Sequence, residues 1–146
     1  VWQNRAGEIA TPNTIAPVVK VEGSMQPLNV VLLQSDSGIS QNLIASLSDS
    51  SSHVHLARSS EELRRSIVSN HAGAVILDLE LSSLSDVEQL SREFPDVSIV
   101  CNHRIADEQM WTATLNAGAT DCCPSSDTKG IARAALANSP QHSAAR

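Results

Sequence analysis

From residue 29 onward, short, mostly apolar runs alternate with longer segments in which apolar residues recur every three or four positions. The runs at 29–33 (Asn-Val-Val-Leu-Leu), 72–77 (closed by Asp78) and 97–101 have the composition of strands buried on both faces. Residues 53–56, which follow a Ser/Asp-rich stretch, alternate weakly as an edge strand does, and 120–123 reads as a last short strand. Between them, Ile39, Leu43, Ile44 and Leu47 recur at helical spacing. Ser59 or Ser60 can cap a second helix whose first turn carries Glu61 and Glu62, acids placed favourably against the helix dipole. A third helix is expected over 83–94, with Leu84, Val87 and Leu90 on one stripe and Pro95 as its stop. A fourth spans 107–116 and ends at Ala117-Gly118 through a left-handed cap, and an Ala-rich fifth covers 127–137.

Five strand–helix repeats with the most apolar strands in the middle call for a parallel sheet covered by helices on both faces. Sites in such sheets form outside the C-terminal strand ends. That rule points to residues 34–36, Asp78, His103 and 124–126. The flanks differ from this pattern. Residues 1–27 hold three of the six prolines and little periodicity, and Gly23-Ser24-Met25 resembles a joint ahead of a natural start. They are expected to form a flexible extension, either fused or tag-derived or a native disordered arm, before a domain at 28–138 and a frayed tail at 139–146.

Composition narrows the function classes. A chain of 146 residues fits one domain and can close a core without disulfides or a structural metal. With one Phe, two Trp and no Tyr, that core must be aliphatic. A net charge of −6 and the lack of a basic stripe argue against nucleic-acid binding through this segment. No stretch approaches the length of a membrane span, and the first residues lack a signal peptide's basic start and apolar run. Three cysteines without framework spacing suggest a reducing, cytoplasmic compartment. Nucleotide-loop, dinucleotide and zinc-protease motifs are missing.

Three segments, in order and spacing, carry a family resemblance. They are Ile76-Leu77-Asp78-Leu79-Glu80-Leu81, then Phe94-Pro95-Asp96-Val97, then Leu115-Asn116-Ala117-Gly118-Ala119-Thr120-Asp121. Over residues 28–138 the chain resembles the receiver (CheY-like) domain of two-component response regulators. The resemblance implies a flavodoxin-like α/β fold: a five-stranded parallel sheet of strand order 2-1-3-4-5 with helices on both faces. A short domain of another flavodoxin-like family is the rival.

Receiver chemistry needs an acceptor Asp and an acid pair that hold Mg²⁺ through oxygen ligands. It also needs a hydroxyl and a Lys that stabilise charge on the phosphoryl oxygens. By the resemblance, Asp78 matches the acceptor. The acid pair falls on Gln34 and Ser35, with Asp36 just beyond. The hydroxyl position falls on His103, or on Asn102 with a one-residue slip, and the Lys position on Ser125. The activation-reporting aromatic is matched by Cys122, and the Pro after the acceptor loop by Ser82. Three of four chemical roles are vacant, so no metal or other cofactor is expected; weak Mg²⁺ on Asp36 and Asp78 belongs only to the alternative of a working receiver phosphorylated on Asp78. Lys129, about one helical turn past Ser125, could reach back to replace the missing cation. Asp78 equally has a structural role open to it, accepting backbone N–H groups at the end of a buried strand.

The resemblance therefore implies a degenerate receiver: a phosphorylation-independent regulatory module, not an enzyme, that pairs with itself or docks a partner protein or output domain. In typical receivers the fourth helix, fifth strand and fifth helix mediate pairing, which makes Met110, Trp111, Cys122, Lys129 and Ile131 the suspected interface. Trp111 either fills the core or stands out as a partner's anchor. A zinc site from Cys101, His103, Cys122 and Cys123 is disfavoured, because adjacent strand residues face opposite ways.

Overall fold

The computed structural model describes residues 28–48 and 52–137. The expected extension at 1–27 and tail at 139–146 lie outside the described residues.

Five strands and five helices alternate along the chain: β1 (Asn29–Leu33), α1 (Ser37–Ser48), β2 (His53–Ala57), α2 (Ser60–Asn70), β3 (Ala74–Asp78), α3 (Leu84–Glu93), β4 (Ser98–His103), α4 (Glu108–Asn116), β5 (Asp121–Pro124) and α5 (Thr128–Ala137). The strands form one sheet in the order β2-β1-β3-β4-β5, every neighbouring pair parallel. This is the flavodoxin-like topology expected from the sequence. β1 and β3, the most apolar strands, stand at the inside of the sheet, and the weakly alternating β2 is an edge.

Strand alternation sorts the core into two layers. Val31, Leu33, Val75, Leu77, Ile99, Cys101 and Cys122 point toward α2, α3 and α4, where they meet Leu63, Ile67, Val87 and Leu90. Val30, Leu32, Ala74, Ile76, Val100 and Cys123 point the other way, onto Leu43 and Leu47 of α1 and Ile131 and Ala135 of α5. Alanines on α5 let that helix lie close to the sheet; four of its residues, Ile131, Ala132, Ala134 and Ala135, are buried.

Local chemistry sets the element ends. Ser59 caps α2, its hydroxyl accepting from the Glu62 N–H. Ser83 and Asp86 form a reciprocal capping box at α3. Asp107 caps α4 through the Met110 N–H. Gly118 has φ +112°, and a Cβ there would collide with the Ser91 side chain, so α4 can end in this way only at glycine. Several details differ from the sequence reading, among them a shift of β5 by one residue, from 120–123 to Asp121–Pro124. β3 starts at Ala74, since Ala72 closes α2 by donating to the Ile67 carbonyl. β4 runs on to His103 because its end pairs with both β3 and β5. Leu84 is 41% exposed, as a three-residue spacing drifts about 60° around a helix per step and carries it off the Val87–Leu90 stripe.

Candidate functional site

Continuing the strand alternation past the apolar runs places the polar residues. Gln34 follows Leu32, Asp78 follows Ile76, Asn102 follows Val100 and Ser125 follows Cys123, so all four keep the parity of the α1/α5 layer. Asp78 and Asn102 are direct register partners on β3 and β4. The chain thus gathers four polar side chains at the C-terminal ends of β1, β3, β4 and β5.

Their hydrogen bonds close on one another. Gln34 and Asn102 form a reciprocal amide pair: Gln34 Nε2 donates to Asn102 Oδ1 at 2.8 Å, and Asn102 Nδ2 donates to Gln34 Oε1 at 3.0 Å. Asn102 Nδ2 also donates to Ser125 Oγ at 2.9 Å, and Gln34 Nε2 leans on the Ile76 carbonyl at 3.4 Å. Asn102 is fully buried, Ser125 nearly so, and this group carries no charge. Buried polar groups persist in a core when they satisfy one another in this manner.

Asp78, 1% exposed, is held separately. Its Oδ2 accepts from the Ser35 backbone N–H at 2.9 Å and from the Ser35 hydroxyl at 2.6 Å. Oδ1 accepts from the Glu80 N–H at 2.9 Å. Three donors from the chain itself therefore surround the carboxylate, two of them at the position where the resemblance calls for a second acid. Above it, Arg104 Nε pairs with Glu80 Oε2 at 3.2 Å, tying the loop after β4 to the loop after β3. Ser82, in the loop after β3, buries a hydroxyl that has no hydrogen-bond partner among the described residues.

Other candidates fall elsewhere. Asp36 caps α1, its Oδ1 accepting from Gly38 N at 2.7 Å and Ile39 N at 3.2 Å, which turns it to the helix and not to Asp78. His103 has the opposite strand parity from Asn102, and its Nδ1 sits 3.0 Å from the Ile105 N–H. Asn102, not His103, therefore joins the cluster, and the alternation of β4 was the signal that could have chosen between them. Lys129 is exposed on the first turn of α5. No group of three or more His, Cys, Asp or Glu side chains among the described residues could hold a metal ion.

The suspected pairing surface needs a correction. Ile131 is fully buried and Cys122 is 7% exposed, both inside the core, because the apolar face of α5 and the inward side of β5 pack on the sheet. Met110 is partly buried against the core, whereas Trp111 is 45% exposed, with its indole N–H donating to Asp121 Oδ1 at 3.3 Å. α4 buries only Thr114 completely, fewer residues than any other helix, and so leaves most of its surface open.

The cysteines are free and buried. Burial, with the neighbouring Cys122 and Cys123 thiols adding to it, pushes the Cys101 thiol far up. Burial likewise raises Cys122, and raises Cys123 to about 11 with the Asp121 carboxylate as a lesser cause. Protonated at neutral pH, these thiols serve as core side chains; the thiolate form that attacks or binds metal is disfavoured.

Comparison with known proteins supports the fold by structure alone. No family model and no curated protein matches the sequence. Among solved structures, an orphan response regulator of H. pylori superposes with a TM-score of 0.64 at 15% identity, covering 73% of this chain and 92% of that one. A response regulator from Thermotoga maritima gives 0.65 at 17% identity, covering 73% and 98%. A two-component response regulator from Clostridium difficile gives 0.58 at 22% identity, covering 73% and 96%. The chain has the fold of response-regulator receiver domains. No helix among the described residues is long and apolar enough to cross a membrane.

Proposed function

We propose that residues 28–138 act as a receiver-like regulatory module that works through protein–protein contact without phosphoryl transfer at Asp78. The observation that carries this reading is the closed cluster at the strand ends. Metal binding needs several carboxylate oxygens directed at one point, yet Gln34 and Ser35 supply neutral groups that turn instead to Asn102 and Asp78. Transfer also builds negative charge on phosphoryl oxygens, which a fixed cation must offset. The position after β5 holds Ser125, whose hydroxyl accepts from Asn102.

Contact is assigned to the face of α4 beside β5. There Trp111 offers a half-exposed aromatic with a polar edge, the kind of side chain that anchors interfaces. Lys129 and Asp121 belong to the elements that follow. The partner is a second copy or an attached or separate protein domain. Free buried thiols fit a reducing, cytoplasmic setting.

The test is incubation with Mg²⁺ and acetyl phosphate, followed by intact mass. An unchanged mass is expected. A stable, Mg²⁺-dependent phosphoryl adduct that Asp78→Asn abolishes would replace this reading with that of a working receiver. Size measurement over a concentration series then checks the contact face: association should weaken in Trp111→Ala, and a strictly monomeric chain at high micromolar concentration removes self-pairing.

A further inference from the structure

Beside the closed cluster, between α1 and the end of β2, lies an open cavity of about 290 Å³. This is just under the usual size range of small-molecule sites, roughly 300–1,000 Å³, and suits a compact ligand. Its walls are Gln34, Ser35, Ser37, Ser40 and Gln41 on the α1 side, with Arg58 just past β2, and its apolar part is Ile44, Leu56 and Ala57. Among the described residues no carboxylate lines it, although acids outnumber bases in the chain as a whole, 16 to 10. Of the acids nearest in sequence, Asp36 caps α1 and Glu62 Oε1 accepts from the Arg58 N–H at 2.7 Å, while Glu61, three residues past Arg58, stands outside the cavity lining.

Apart from Gln34 and Ser35, the polar side chains on the cavity wall are, by contrast, open. Among the described residues the Arg58 guanidinium enters no ion pair, and the side chains of Ser37, Ser40 and Gln41 make no hydrogen bond. A guanidinium is a planar fork of donors that matches a carboxylate or phosphate. Hydroxyl and carboxamide donors extend that match. Leu56, 55% exposed on an edge strand, together with Ile44, gives the same space an apolar side.

We propose that this cavity binds a small organic oxyanion, a carboxylate or phosphate monoester with a compact apolar body. The anionic group meets Arg58 and the α1 hydroxyls, and the apolar body lies against Ile44 and Leu56. Gln34 and Ser35 form the wall between the cavity and the cluster, so the ligand sits one side chain away from Asp78. This assignment is independent of whether α4 pairs with a partner.

The test is a titration of the full chain, followed by amide NMR, with benzoate, phenyl phosphate, inorganic phosphate and benzyl alcohol. Benzoate or phenyl phosphate should shift residues 34–44 and 56–58 saturably, and inorganic phosphate and benzyl alcohol should bind about tenfold more weakly or less, each lacking half of the recognition. Arg58→Gln should weaken the organic anion by about tenfold or more, Arg58→Lys should fall between, and Lys129→Gln should leave it unchanged. Non-saturating shifts, equal binding of benzyl alcohol, equal binding of inorganic phosphate, or an Arg58→Gln variant that binds as the parent does would each overturn the assignment. Because Arg58 is exposed, its variants keep the fold, which the unshifted remainder of the spectrum verifies in the same experiment.

Discussion

Gln34 and Ser35 border two spaces that behave in opposite ways. Toward the sheet interior, every polar atom they present meets a partner in Asn102, Ile76 or Asp78. Toward α1 and β2, they share a wall with Arg58, Ser37, Ser40 and Gln41, whose side chains have no partner among the described residues. Proximity to a strand end is therefore a poor guide to which residues are free to bind something. The interior cluster is a piece of structure that holds the sheet ends together, and the outward cavity is where unsatisfied donors remain. A group already hydrogen-bonded within the protein gains little from a ligand, whereas an unpaired guanidinium at a cavity wall gains a partner.

The contrast can be broken most severely at its closed side. Asn102→Ala removes the partner of both Gln34 and Ser125 in a fully buried place, and is expected to lower the unfolding free energy by about 2–4 kcal/mol in urea denaturation. Replacing the pair together, Gln34→Met with Asn102→Leu, should cost less than Asn102→Ala alone, since no orphaned amide is left. A double variant as unstable as the single one would mean that packing, not hydrogen bonding, closes the cluster.

A smaller effect is expected at Ser35→Ala, which deletes the 2.6 Å hydroxyl bond to Asp78 but keeps the backbone N–H. Because Ser35 is exposed, the loss should be about 1 kcal/mol in the same measurement. The smallest belongs to the open side. Ser37→Ala and Gln41→Ala, which remove no hydrogen bond, should change stability by less than about 0.5 kcal/mol. A loss above 1 kcal/mol at either would show that the cavity wall is structural after all.

The fold was legible because each level agreed. Apolar runs marked the doubly buried strands, Ser59, Ser83 and Asp107 marked helix starts, and Gly118 marked a stop that no other residue tolerates. Asp78 was legible as the polar end of an apolar run. Spacing alone favours His103 over Asn102 because it counts residues without assigning faces; the continued alternation of β4 is what turns Asn102 toward Gln34 and Ser125. Ile131 and Cys122 sit on a helix and strand expected to face a partner, but a short Ala-rich helix must use its few large side chains inward, and the alternation of β5 turns Cys122 into the core. The cavity left no sequence trace. Its walls come from two separate stretches of chain, and it consists of the space their side chains fail to fill.

The reciprocal amide pair also shapes which mutational paths are passable. Changing Gln34 alone to an acid strips Asn102 Oδ1 of its donor, and changing Ser125 alone to Lys sets an ammonium against Asn102 Nδ2, two donors facing each other. Each step toward a charged, metal-binding pocket thus passes through a destabilised intermediate, although the completed set would be self-consistent. Such a locked set of neighbours acts as a ratchet: an arrangement easily preserved by selection for folding alone, and hard to reverse one residue at a time.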